Sequence, residues 1–505
     1  MTSTRTRVPA SGHAWGLEHR APRPLRREAT GSVWLFRGGI GLLIVLAGVL
    51  WLWHLNASTL FTDEALSWRD SAHSLSQLIT GAKHDELNPL GYFVFLHAWI
   101  KVAPSTSEFW LRVPSLIAGF GLVGALVWFT SLVASRSAAL LAGLLAVLSP
   151  YLYDYAQEVR SYIFVMLALT VAAAALLQAE RSEDRQGRWV ALSIVAAAVA
   201  MAGHYTAWLV LLPLGVYLTF WSPVPRRLRV AWIVIVAVSG LVWIPLLATQ
   251  WGGGHNGWLN GFANLNLGHI GDVFGGPFSG RIFQPESRSE AGGLIVLAGA
   301  AVTLMTSRRR EIRLLVALAL ACPIVLLLAT LAGHPALLIR YVAVAVPFMI
   351  ATLAIALLRV PRIPRVVLVA GVLGLGLWNI NKAYEPRGHY MDMRGGLSFV
   401  RSGYHSGDVI AVVGNNNSQI LLSYYRQRLV PAGVQVLLVG PDRGNLLKSP
   451  LGAAYGAHKR IWIVNTDLPY SPKLRTVGYA ARIDRLFPAI RWLDVILAVP
   501  RGHRG

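Results

Sequence analysis

Two carboxylates stand side by side in the stretch FTDEALSWRDS (61–71). Asp63 and Glu64 lie just beyond an apolar run, and Arg69 and Asp70 follow closely. A carboxylate at a water–lipid boundary is placed to take a proton from a hydroxyl as that hydroxyl attacks. Adjacent residues on a helix or turn point in different directions, so the pair is not expected to share one task. The plainer reading is that both solvate a loop or cap a helix, and composition alone favours it. Arg69 and Asp70 read as the solvated continuation of the loop.

Other chemistry-bearing residues lie far along the chain. YAQEVRSY (155–162) offers Glu158 and Arg160, either as a structural ion pair or as an arginine that binds an anion while the glutamate orients it. Arg340, before Tyr341 in LLIRYVAVAVP, could snorkel to the interface or grip a phosphate, which suits a guanidinium. His204 and Tyr205 in GHYTAW sit among apolar residues, where a satisfied interfacial histidine is the common outcome. KHDELNP (83–89) adds His84, Asp85 and Glu86, which could bind a divalent metal but lack a recognisable ligand spacing. There is no Asp-x-Asp, which argues against a metal-chelated nucleotide-sugar donor, and no P-loop, Gly-x-Ser-x-Gly or His-Glu-x-x-His.

The elements that must position these residues are membrane helices. Of 505 residues 54% are hydrophobic and only 14% charged, with a mean hydropathy of +0.50. A soluble protein carries about 25% charged residues. Apolar runs recur at close to the length of about 20 residues needed to cross a bilayer. The net charge of +22 comes largely from clusters between those runs: PRRLR (225–229), SRRREIR (307–313), RVPRIPR (359–365), and arginines before residue 28. Such clusters belong on the cytoplasmic face. They punctuate helices and do not converge on one face, so nucleic acid is excluded as a partner. The single cysteine, Cys322, rules out an intrachain disulfide. The preference for arginine over lysine suits a GC-rich bacterial genome.

Residues 1–32 read as a disordered cytoplasmic tail without a cleaved signal peptide. The first span, 33–55, then leaves the 56–111 segment outside, with six acidic residues and few basic ones. NPLGYFVFLHAWIKVA (88–103) is short for a span and reads as an amphipathic helix at the outer interface. Ten further spans are expected near 113–133, 138–154, 161–179, 189–206, 207–221, 230–250, 291–306, 314–332, 341–358 and 366–382, making eleven. That count sends Glu158, Arg160, His204, the 251–290 loop and Arg340 to the same outer face as Asp63. The fold class is therefore mainly α: a polytopic helical bundle over 33–383, followed by a small extracytoplasmic α/β domain over 384–505. The latter is read from the β-rich runs DVIAVVG (408–414), VQVLLVG (434–440) and RIWIVNTD (460–467), with a helix over 417–429.

Ionisable residues gathered at one face of a bundle are a functional hypothesis by default. This set could activate a hydroxyl and hold a phosphate. A lipid or sugar transporter, or flippase, is the alternative, but it calls for polar groups near the midplane and often for repeats. A non-catalytic envelope-assembly subunit, with Asp63 merely a loop residue, is a third class.

Several stretches, in order, resemble the GT-C superfamily, specifically glycosyltransferase family 39, which holds the protein O-mannosyltransferases and aminoarabinose-transferase-like enzymes. FTDEALSW is similar to the acidic pair after that family's first span. NPLGYFVFLHAW resembles its His-Pro-Pro-Leu-Tyr-Tyr segment, with Asn88 in place of the histidine and Leu90 in place of the second proline. LRVPS (111–115), YAQEVRSY, GHYTAW and IRYV follow in the same order as their family counterparts.

The resemblance implies a polyprenyl-phosphate-linked sugar as donor, mannose first, transferred with inversion on the outer face of the bacterial plasma membrane. The acceptor would be an envelope glycolipid, lipoglycan or protein. It implies Asp63 as catalytic base with Glu64 beside it. Glu158, Arg160, His204, Tyr205, Arg340 and Tyr341 would shape the donor phosphate and sugar site. No cofactor is assigned, and a divalent metal is left open.

Overall fold

The computed structural model describes residues 30–53, 55–81, 88–252, 267–279, 289–384, 391–414, 416–431, 433–439, 450–466, 479–487 and 493–501. Helix α1 (Thr30–Leu52) is apolar on every side and turns most of its side chains outward, with Leu35 79% exposed. An outward apolar surface on a long helix is what a lipid environment stabilises. Three short helices come next: α2 (Thr62–Ala72), α3 (Leu75–Gly81) and α4 (Gly91–Val102). The 12 residues of α4 are too few to cross a bilayer, in keeping with an interfacial helix.

The bundle proper begins with α5 (Glu108–Val133), then α6 (Arg136–Val147) and α7 (Pro150–Ala156), which meet at 64°. The bend has a local cause. Ser149 caps α7 by accepting from the Leu152 amide (3.3 Å), and Pro150 opens the new helix. The chain continues through α8 (Tyr162–Ala179), α9 (Gln186–Gly203), α10 (Trp208–Phe220), α11 (Arg226–Leu241) and α12 (Ile244–Gly252). After these come α13 (Leu267–Ser279), α14 (Ser289–Met305), α15 (Arg310–Leu331), α16 (Val346–Arg359) and α17 (Arg362–Ala383).

Among the described residues, 8 helices or near-continuous helical stretches are long and apolar enough to span, and the bent pair makes 9. Eleven were anticipated; the helices at 205–220 and 293–305, where two of them were expected, are apolar but shorter than a full span. The expected loop over 251–290 is corrected in one respect. It contains α13, an apolar helix that packs between α7 and α14, where Ser149 Oγ donates to Pro277 O (2.9 Å). Its glycines and internal proline disguise a helix that packing, more than propensity, holds in place.

The two ends of the bundle differ in charge. At one end Arg310 pairs with Glu180 (3.2 Å) and donates to Trp221 O (2.6 Å), while Arg359 donates to Thr303 O (2.7 Å). Arginines there satisfy carbonyls at helix C-termini. The other end carries the acidic α2.

Above α2 sits the C-terminal domain: α18 (Met393–Gly403), β1 (Val409–Val413), α19 (Asn416–Leu429), β2 (Val436–Val439), α20 (Pro450–Gly456), β3 (Ile461–Asn465), β4 (Tyr479–Phe487) and β5 (Leu493–Pro500). The sheet order is β2-β1-β3-β5-β4; the first three strands are parallel, and β5 runs antiparallel to both its neighbours. Every residue of β1 and β3 is buried, as expected of central strands covered on both faces. The three strands and helix anticipated from sequence are present; β4 and β5 were not foreseen. One face of this domain shares a hydrophobic core with the 56–111 segment. Leu60, Ala65, Tyr92 and Leu111 pack with Leu397, Leu421, Tyr424 and Tyr425.

Candidate active site

Asp63 and Glu64 occupy the first turn of α2, where negative charge complements the helix dipole. Their fates then diverge. Glu64 is buried and fully occupied. Its Oε2 accepts from the Phe61 amide (2.7 Å) and from Arg112 Nη2 (2.9 Å), and its Oε1 from Arg112 Nε (3.1 Å) and the Val159 amide (3.0 Å). Arg112, only 1% exposed, spends its remaining donors on the carbonyls of Leu55, Ser58 and Thr59 at 2.9–3.1 Å. One bidentate ion pair therefore holds the whole entry to α2 and ties it to the turn that carries Glu158 and Arg160.

Asp63 instead remains about one quarter exposed, and its Oδ2 accepts from Arg340 Nη1 (3.0 Å). Arg160 Nη1 donates to Ser67 Oγ (3.1 Å), and that hydroxyl donates to Asp63 O (2.9 Å). Two arginines from different elements thus flank the Asp63 turn.

His204 closes another side. Its ring lies between Tyr162 (5.2 Å) and Tyr341 (5.7 Å). The Thr206 amide donates to Nδ1 (3.1 Å), which places the ring proton on Nε2. Burial, with Arg160 and Arg340 nearby, pushes its pKa down to about 3, so the ring is neutral throughout the physiological range. Nε2 is buried and has no hydrogen-bond partner among the described residues, as is also true of Glu158 Oε2. Burial chiefly, then the Glu64 carboxylate, pushes Glu158 up to about 8 against the pull of Arg160 and Arg340. It therefore holds its proton well above the ordinary carboxylate range. Two buried polar atoms without partners among the described residues, beside two arginines, are suited to hydrogen-bonding an oxyanion.

Of the residues singled out in sequence, Asp63, Glu64, Glu158, Arg160, His204, Arg340 and Tyr341 converge here. Tyr205 differs. Its hydroxyl donates to Gln250 Oε1 (2.8 Å), and Gln250 donates to Asn88 O (3.1 Å), so it braces the rim. Asp70 also departs from expectation: it is largely buried, pairs with Arg69 (2.9 Å), and helps to line a cavity of about 350 Å³ with His73 and Gln77. His84, Asp85 and Glu86 lie outside the described residues, among which no three His, Cys, Asp or Glu side chains gather as metal ligands.

Sequence reasoning missed Arg112 as a positioning group, although LRVPS had been noted, because a charge at the end of an apolar run reads equally as an interfacial anchor. It also missed Tyr92, buried with Arg160, Glu64 and Glu158 as charged neighbours.

The family described as dolichyl-phosphate-mannose-protein mannosyltransferase matches residues 88–248. No curated protein matches the chain by sequence. In structure it is similar to ArnT from Cupriavidus metallidurans bound to undecaprenyl phosphate, with TM-score 0.52 and 14% identity, covering 94% of this chain and 99% of that one. The apo state of the same protein gives TM-score 0.53 at 14% identity over 93% and 98%. The archaeal oligosaccharyltransferase AglB from Archaeoglobus fulgidus, in complex with an inhibitory peptide and a dolichol-phosphate, gives 0.52 at 10% identity over 87% and 70%. The chain therefore shares the fold of these proteins over most of its length, and residues 88–248 within its bundle match the mannosyltransferase family model.

Proposed function

We propose that the protein transfers a sugar, mannose in the first instance, from a polyprenyl phosphate to a hydroxyl of a cell-envelope glycolipid, lipoglycan or protein, with inversion at the anomeric carbon. The observation that carries this reading is the pairing of a partly exposed Asp63 with Arg340, beside Arg160 and the unpartnered buried groups of His204 and Glu158. In the reaction the acceptor oxygen forms a bond to the anomeric carbon as Asp63 takes its proton. The bond from that carbon to the phosphate oxygen breaks, and the lipid phosphate leaves with the electron pair. Arg340 and Arg160 meet its charge, while His204 Nε2–H and protonated Glu158 donate to its oxygens. Such contacts gain strength in a site shielded from water. The acidic end, with the C-terminal domain above it, would face outward, and the arginine-rich end would face the cytoplasm. The transporter reading is less well supported, because the ionisable groups sit at helix ends and not at mid-bundle.

The test is transfer from radiolabelled polyprenyl-phosphate-mannose to a membrane glycolipid extract by protein in lipid vesicles, repeated with other lipid-linked sugars. Transfer with inverted linkage supports the reading, and absence of transfer from every donor sinks it. His204→Phe keeps an aromatic ring between Tyr162 and Tyr341 but removes the Nε2 donor. A hydrogen bond to a charged group is worth about 1.5–3 kcal/mol, so donor KM should rise roughly 10- to 100-fold; an unchanged KM removes His204 from the phosphate site.

Glu158 makes the pH dependence specific. Transfer should fall above about pH 8 as the acid loses its proton, and this alkaline limb should vanish in Glu158→Gln. Stability should drop over a lower range, from the ordinary carboxylate region up to about 8. The unfolded chain gives up the proton there while the folded chain keeps it. A pH–rate profile and melting curves of both proteins check the two signs.

A further inference from the structure

We propose that Tyr425 of the C-terminal domain is a positioning residue for Asp63, so that the outer domain forms part of the active centre and is not an appendage to it; this rests on the glycosyl-transfer reading above. The segment from Leu55 to Phe61 is neither helix nor strand, and its buried polar groups must find partners elsewhere. Arg112 on α5 takes the carbonyls of Leu55, Ser58 and Thr59. The Leu60 amide is taken from the other side, by the Tyr425 hydroxyl (2.8 Å), which itself donates to Glu108 at the start of α5. Burial and the adjacent Glu108 carboxylate raise the phenol's pKa, keeping it protonated in that role.

The anchor is rigid on both sides. Glu108 also accepts from Arg394 Nη1 (2.5 Å), whose Nη2 donates to Ala57 O (2.6 Å). The Tyr425 ring is locked edge-on against Tyr424 (4.8 Å), and α19 packs along α2. Leu60 adjoins Phe61, the residue at which α2 begins, and Asp63 stands in its first turn. Releasing the Leu60 amide therefore frees the entry to the helix that aims the base. Arg160, His204 and Arg340 arise from other elements, and two of them, Arg160 and Arg340, reach across to Ser67 and Asp63 on α2.

Tyr425→Phe removes the hydroxyl and keeps the ring. The expected result is a fall in kcat of about 10-fold or more, since small misplacements of a catalytic group are costly, with donor KM unchanged within about twofold because the phosphate-binding groups stay in place. Hydrogen exchange should quicken in the 56–72 peptide but not in the strands of the outer domain. Tyr479→Phe, which removes a hydroxyl donating to Lys459 O (2.8 Å) elsewhere in the same domain, is the control and should alter neither kcat nor exchange at 56–72. Unchanged kcat, unchanged exchange at 56–72, or quickened exchange throughout the outer domain in Tyr425→Phe would each overturn the proposal. Inactivity of the wild type with every donor would strike the glycosyl-transfer reading instead, and the exchange comparison would still decide whether Tyr425 holds the 56–72 segment.

Discussion

Asp63→Asn is expected to cut sugar transfer by about 10²- to 10⁴-fold in kcat, the range by which a positioned general base contributes. The amide oxygen can still accept from Arg340, so the fold should survive and the melting temperature should stay near that of wild type. Donor binding should hold or tighten, because the substitution removes a negative charge from beside the phosphate site while leaving both arginines. The combination of lost kcat and kept donor affinity separates a base from a binding residue. Transfer measured in lipid vesicles, together with a direct donor-binding titration, decides the matter. A kcat within about threefold of wild type would take Asp63 out of the mechanism.

Arg112→Met carries the largest expected loss of stability. It leaves Glu64 buried without its countercharge and strips the donors from three carbonyls of the Leu55–Phe61 segment. Breaking one side of a buried ion pair costs about 3–5 kcal/mol. Pairing the change with Glu64→Gln should recover part of that loss, because the stranded charge goes with it, and the non-additivity measures the coupling. Thermal unfolding in detergent of the two single variants and the double variant is the check. An Arg112→Met protein as stable as wild type would mean that the segment is held in some other way. Activity should be lost in the single variant even where protein survives, since Glu64 also holds the Val159 amide and with it the turn of Glu158 and Arg160.

These two effects explain why adjacent carboxylates divide their work. Glu64 is turned inward, saturated by a guanidinium and two backbone amides. Asp63, one step round the helix, faces the opening with a single arginine. A helix rotates by about 100° per residue, so neighbouring carboxylates necessarily meet different surroundings. The burial of α2 between the bundle and the C-terminal domain turns that difference into one saturated, buried carboxylate and one partly exposed carboxylate.

Much of the architecture was legible because membrane helices write their length and composition directly into the chain. The apolar runs, and the arginine clusters that border them, are local signals, and each span could be read on its own. Helix α13 escaped for the converse reason: its glycines and Pro277 give no local signal, and its neighbours α7 and α14 define it. Likewise β4 lies at the edge of the sheet and carries Arg482, Asp484 and Arg485, so its pattern lacks the apolar continuity of β1 and β3.

By itself the sequence determined the class of protein, the order of its spans, and that Asp63, Glu158, His204 and Arg340 belong to one end of a bundle. Hydropathy and charge act locally and need no partner to be read. Only the tertiary structure decided which carboxylate is partly exposed and which is buried, that His204 Nδ1 accepts from Thr206, that burial raises the pKa of Glu158, and that Arg112 and Tyr425 hold the Leu55–Phe61 segment from opposite sides. Each of these depends on burial and on a partner, Glu64 for Arg112 or Leu60 for Tyr425, that lies tens to hundreds of residues away and meets it only when the chain has folded.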